Sequence, residues 1–181
     1  MNATAPGTSP CATRGAFDIL AGCHEHIAAR VAELAALAEG LERVPRLDEP
    51  CLARLAGILA FLDTVIPIHG ADEEQTLFPR LRALPELRGA GGHTPMDCME
   101  REHVDHRALL AALKRDLMLG RPEAVARAAR GLASSYREHI AREDQVLFPW
   151  ARERLTDPAV VERMAQEMRE RRRAAGLQDG C

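Results

Sequence analysis

Apolar residues recur along this chain in steps of three and four. Phe17, Leu20, Ile27, Val31, Leu34, Ala38 and Leu41 form one such stripe, with His24 inside it. That spacing keeps the apolar groups on one helix face. It predicts a first helix over residues 17–43, punctuated by Pro45 and Pro50. A second stripe, Leu55, Leu59, Leu62, Ile66, His69, Glu73 and Leu77, predicts a helix from residue 50 to beyond residue 77. The segment LRGAGGHTP then breaks the pattern with glycines and a proline and reads as loop. Met99, His103, His106, Leu110, Leu113 and Leu117 predict a third helix over residues 96–119. GRPE is a stop followed by a start, with Pro122 at a tolerated first-turn position. The fourth stripe, Val125, Ala128, Leu132, Ser135, His139, Glu143 and Val146, ends near Pro149. Asp157 and Pro158 open a fifth amphipathic segment that ends in RERRRAAG.

Four helices of about 24–27 residues are each roughly 35–40 Å long. Short connections favour antiparallel neighbours, so the expected fold is all-α: an up-down-up-down four-helix bundle with an extra C-terminal helix. No stretch alternates with period two, and no sheet is expected. The expected organisation is a disordered lead-in over 1–16, the bundle over 17–150, and a C-terminal amphipathic helix and tail over 151–181. The arginine run in that last helix reads as a solvated face rather than a binding patch.

The overall composition adds limits. A chain of 181 residues suits one domain with a real core. Its net charge of −3 gives no basic surface for nucleic acid or an anionic membrane. Its apolar runs fall short of the ~18 residues that cross a bilayer. The opening MNATAPGTSPCATRG lacks the apolar core of a signal peptide. Cys11, Cys23, Cys51, Cys98 and Cys181 form an odd set without a CxxC pair. That argues against a disulfide framework or a thiolate zinc site and fits a reducing cytoplasm.

The candidate chemistry lies where the stripes turn polar. HGADEEQTLFP begins at His69 and HIAREDQVLFP at His139, an offset of 70 residues. The third helix repeats the first as well, with His103, Leu110 and Leu113 spaced like His24, Val31 and Leu34. Two helical hairpins with internal pseudo-symmetry follow. His24, His69, Glu73, His103, His106, His139 and Glu143 occupy positions where the stripe calls for Leu or Ile. Burying an unpaired imidazole or carboxylate is costly. A His-x-x-x-Glu pair instead presents a nitrogen and an oxygen ligand from one helix face, and a shared divalent cation satisfies the whole set. Imidazole and carboxylate without thiolate suit iron, with manganese or zinc next. Two carboxylates able to bridge and at least four histidines suit two metals better than one.

These motifs, together with MEREH at the start of the third helix, resemble the hemerythrin-like (HHE) family of non-haem di-iron proteins over about residues 17–150. The resemblance implies iron ligation by His24, His69, Glu73, His103, His139 and Glu143, with Glu73 and Glu143 bridging two ions. It implies binding of O₂ or NO for sensing, storage or protection. Oxygen-carrying members have five histidines, two of them four apart in the third helix, whereas His103 and His106 are three apart. For His106, ligation, contact beside the ligands and plain packing all stay open.

An enzyme reading competes: ferroxidase, peroxide consumption or repair of iron centres. The repair branch carries an additional N-terminal cysteine-bearing domain, where this chain has residues 1–16 and Cys11. A regulatory module with a structural metal is a third class, and no motif identifies a protein partner. His26 is off the stripe and expected in solvent, and His93 is incidental in a Gly-rich loop. Pro67 must kink the second helix or open its hydrogen-bond ladder, which could widen a path to the metals. Tyr136 reads as packing ahead of a hydrogen-bond donor near the site, and Glu74 and Asp144 as surface charge or contacts to a ligand histidine. Leu-Phe-Pro marks packing and helix closure in both repeats.

Overall fold

A computed structural model describes residues 14–87 and 94–177. Among them the chain forms helices and no strand. α1 is Ala16–Arg43, α2 is Glu49–Arg82, α3 is Pro95–Met118, α4 covers residues 122–154, and α5 is Pro158–Ala174. The bundle runs up-down-up-down. α1 packs on α2 and most extensively on α4, and α4 packs on α3. The remaining edge, between α2 and α3, is the most open side. α5 lies across α1 and α2. Most of the expected lead-in (residues 1–13), Cys11, His93 and Cys181 lie outside the described residues.

Local chemistry sets the helix ends. Asp48 caps α2 by accepting the Cys51 amide at 3.1 Å. α3 starts with a capping box: Thr94 accepts the Asp97 amide, and Asp97 accepts the Thr94 amide at 2.8 Å. Gly120, at φ 62°, ends the turn after α3 in the left-handed region where a side chain is strained.

The apolar stripes form two clusters. Ile27, Val31, Leu34, Leu55, Leu62, Leu113 and Leu132 belong to one. Leu20, Leu77, Phe78, Leu81, Met96 and Phe148 belong to the other, with Met164 and Met168 of α5. Along each bundle helix the polar interruptions fall between the two clusters. α2 is also long and apolar enough to cross a membrane by length and composition alone, the one such helix among the described residues. Its Leu55, Leu62, His69, Asp72 and Glu73 are buried within the fold.

Three expectations are corrected. The helices do not close at the Leu-Phe-Pro motifs. Glu73–Leu77 and Glu143–Leu147 are π-helical, and α-helix resumes at Phe78 and Phe148 as far as Arg82 and Arg154. The Phe78 amide bonds to the Glu73 carbonyl, and the Phe148 amide to that of Glu143. This wider turn admits Pro79 and Pro149, whose rings would clash with the preceding turn of a regular helix. Secondly, the same slip turns Val146, placed on the inner stripe by its spacing, out to 63 % exposure. Thirdly, the arginine run of α5 is not a solvated face. Arg172, 1 % exposed, donates through Nε and Nη2 to Asp72 at 3.0 and 2.7 Å, and Arg171 pairs with the other oxygen of Asp72. Burial raises the Asp72 carboxyl even with two guanidiniums beside it. α5 is thus tied to the turn of α2 that immediately precedes Glu73.

Candidate metal centre

The helix geometry sets His69 and Glu73 one turn apart on α2, and His139 and Glu143 likewise on α4. α1 adds His24 and α3 adds His103. All six side chains are buried. Two four-residue donor groups result: His24, His69, Glu73 and Glu143, and His103, His139, Glu73 and Glu143. Within each group the ligand atoms lie within 4.8 Å of one another. Both glutamates belong to both groups. Glu73 turns Oε1 toward His69 Nε2 at 3.6 Å and Oε2 toward His103 Nε2 at 3.3 Å. Glu143 turns Oε2 toward His24 Nε2 at 3.1 Å and Oε1 toward His139 Nε2 at 3.3 Å. Each carboxylate therefore offers one oxygen to each half.

Outer carboxylates fix the rings. His24 donates through Nδ1 to Asp144 at 2.8 Å, and His103 through Nδ1 to Glu74 at 2.7 Å. These are equivalent contacts in the repeat, each crossing to the other hairpin. Such a bond directs the Nε2 lone pair inward. His139 donates through Nδ1 to Glu102 at 2.7 Å, and Glu102 is held by Arg142 at 2.8 Å. Phe148 stacks on His24 and Phe78 on His103, so the Phe of each Leu-Phe-Pro motif also supports a donor ring.

The donor set fits a cation. All four carboxylate oxygens of Glu73 and Glu143 are buried, and none forms a hydrogen bond within the protein. Burial, with Glu143 alongside, pushes the Glu73 carboxyl well up. Burial and the neighbouring imidazoles push His69 well down, and burial outweighs nearby carboxylates to lower His139. Burial lowers His24 too, but Asp144 and Glu143 outweigh it and push it up to about 10. These residues would hold a cation, whose charge would offset both buried carboxylates.

His106 falls in neither donor group. It is buried, and neither ring nitrogen makes a well-formed hydrogen bond, although the Ser135 backbone beside it favours its protonated form. Burial lowers it to about 4. His106 lines a cavity of about 210 Å³ on the α2–α3 side, bounded also by Pro67, Gly70, His69, His103, Tyr136 and His139. Pro67 sits in this wall within continuous α-helix. A larger, shallower groove of about 420 Å³ on the α1–α4 side reaches His24 and Asp144; of the six donors it touches His24 alone. His26 is exposed.

The Glu74 and Asp144 expectation is met in its second form, as contacts to histidine. Two residues escaped sequence reasoning. Glu102 has Cys23 as its repeat counterpart, and Asp72 has Arg142, so no repeated pattern marked either.

The model of the hemerythrin HHE cation-binding domain matches residues 15–151. The chain belongs to this family. The hemerythrin-like bundle is also similar to the iron-sulfur cluster repair protein YtfE of Citrobacter koseri, 30% identical over 142 residues. The match covers 74% of this chain and 63% of the relative, so it spans under two thirds of that relative's length. No solved structure gives a significant match.

Proposed function

We propose that the chain holds two iron ions, His24 and His69 on one, His103 and His139 on the other, with Glu73 and Glu143 bridging them. The observation that carries this reading is the division of each glutamate's oxygens between the two donor groups. The iron pair, when bound, supplies open coordination and reducing equivalents to a small diatomic molecule, O₂ or NO, for sensing, storage or protection. The protein's part is to hold the imidazoles with their Nε2 atoms inward, through Asp144, Glu74 and Glu102. The cavity beside the donors, about 210 Å³, favours small ligands over bulky metabolites. The odd cysteine set without a CxxC pair supports a reducing, cytoplasmic setting.

A second reading, repair of iron-sulfur centres, is favoured by the likeness to an iron-sulfur cluster repair protein. Anaerobic loading with ferrous iron and elemental analysis tests the centre itself; two ions per chain are expected, and saturation at one rejects the proposal. Optical spectra of the loaded protein before and after O₂ or NO test the ligand. If the loaded protein ignores both gases but restores a damaged iron-sulfur protein, the second reading replaces the first.

A further inference from the structure

Of the polar side chains that line the α2–α3 cavity outside the donor groups, Glu74, Gln75, His106, Arg107 and Tyr136, His106 is the one with buried atoms that form no hydrogen bond. His106 is 1 % exposed, and both ring nitrogens lack hydrogen bonds. Its ring lies on that of Tyr136, centroids 4.0 Å apart, and meets His139 edge-on at 4.9 Å. The α2 wall is Ile66, Pro67, His69, Gly70, Ala71, Glu74 and Gln75, and none of these side chains hydrogen-bonds the imidazole. A buried imidazole without partners is costly to keep.

The internal repeat shows that packing does not require it. The offset that relates His24 to His103 pairs Ile27 with His106, and the offset that relates His69 to His139 pairs Ile66 with Tyr136. One hairpin fills these places with two isoleucines. The other sets a stacked histidine and tyrosine there, and the cavity lies beside them.

We propose that His106 is not a metal ligand but the hydrogen-bond donor to a small molecule seated in the cavity. It thereby selects ligands that gather negative charge on the atom facing away from the metals, O₂ and small anions, over NO. Tyr136 is a positioning residue that holds the ring flat. This inference rests on the di-iron reading above. A donor strengthens its bond as the acceptor becomes charged, and NO, unlike azide, carries no charge before it binds and is expected to gain less. The i+3 spacing from His103 suits the role: it keeps His106 on the inner face but outside both donor groups.

The test compares wild type, His106→Leu and His106→Gln. Each is loaded with iron, iron is counted by elemental analysis, azide is titrated into the oxidised protein, and NO into the reduced protein. The expected result is equal iron in all three and azide binding weakened about tenfold or more in His106→Leu. NO binding should change little, and His106→Gln should recover part of the azide loss. Metal-free His106→Leu should melt no lower than wild type, because the change removes an unpaired buried polar group. Iron lost from His106→Leu would make His106 a ligand and overturn the proposal. Equal weakening of azide and NO, unchanged azide binding, or a large drop in metal-free melting temperature would each overturn it as well. If the wild type holds two irons yet binds neither azide nor NO, the gas-binding reading falls with it. If wild type fails to hold two irons, the fault lies in the di-iron reading.

Discussion

His69 and His139 hold equivalent places in the repeat, each four residues before a shared glutamate. His139 is braced: Nδ1 donates to Glu102, and Arg142 holds Glu102 from the far side. The Nδ1 of His69 is buried with no hydrogen bond. The cause lies in two substitutions between the hairpins. Where α3 has Glu102, α1 has Cys23; where α4 has Arg142, α2 has Asp72. The second hairpin closes its ion pair internally, next to the donors. The first sends Asp72 outward to two arginines of α5. The donors and the carboxylates that brace His24 and His103 are therefore set by the repeated motif, while the bracing of His139 comes from residues the repeat does not share. His139 is stiffened within its own hairpin, whereas the turn that carries His69 borrows support from the C-terminal helix through Asp72.

The largest expected effect tests that borrowed support. Asp72→Ala removes the buried ion pair with Arg172 and should cost about 3–5 kcal/mol in denaturation of the metal-free protein. Its counterpart Arg142→Ala, at a half-exposed pair, should cost about 1 kcal/mol or less. Equal costs would end the claim that the two hairpins are stabilised differently. Next, Glu102→Gln should weaken iron binding at the His103–His139 half by about 10–100-fold while the other half keeps its affinity. Stepwise iron titration reads this, and a uniform loss would show that the halves act as one unit.

The third expectation concerns the two helix starts. Asp97 is held at about 2, against an ordinary 3.8, first by the Thr94 hydroxyl and amide and then by Arg82. The folded value lies below the unfolded one, so this stabilisation is complete above about pH 4 and disappears as pH falls through 2. Wild type should therefore exceed Asp97→Asn in stability at neutral pH, and the gap should close in acid. The equivalent Asp18 caps only Gly15, and its Arg152 stands at 3.9 Å, against 2.8 Å for Arg82 and Asp97. Asp18→Asn should show a smaller gap at every pH; equal gaps would mean the caps do not differ. The smallest effect is Gly15→Ser, which gives α1 a capping hydroxyl. The added Cβ would meet Asp18 at an ordinary 3.5 Å, and a gain of a few tenths of a kcal/mol is expected in thermal denaturation.

The fold and the six central donors were legible because they rest on periodicity. A stripe that turns from Leu to His or Glu on all four helices announces a buried polar layer, and the motif at His69 and His139 repeats without a gap. What was not legible depends on contacts between helices distant in sequence. Glu102 reaches His139 from another helix, 37 residues away, and Arg172 reaches Asp72 across 100 residues. Neither distance leaves a periodic trace. The arginines of α5 resembled a solvated face because consecutive arginines carry no sign of which one finds an acid. His106 lay between readings for a related reason: its spacing put it on the inner face, but only three-dimensional packing separates a ligand from a cavity wall.

The π-helical segments have a consequence for how the two ends of each long helix are clocked. At about 100° per residue, five regular α steps would leave Phe78 about 140° out of line with Glu73. The bond from the Phe78 amide to the Glu73 carbonyl brings the two to roughly the offset that residues four apart have in a regular helix. The helix thus carries one supernumerary residue, an insertion absorbed as a phase slip rather than ejected as a loop. Everything before the slip is phased to the polar layer, and everything after it to the lower apolar cluster. Deleting Gln75 or Gln145 would leave composition and helicity almost unchanged. It would also rotate Phe78 and Leu81, or Phe148 and Ala151, away from the core they fill.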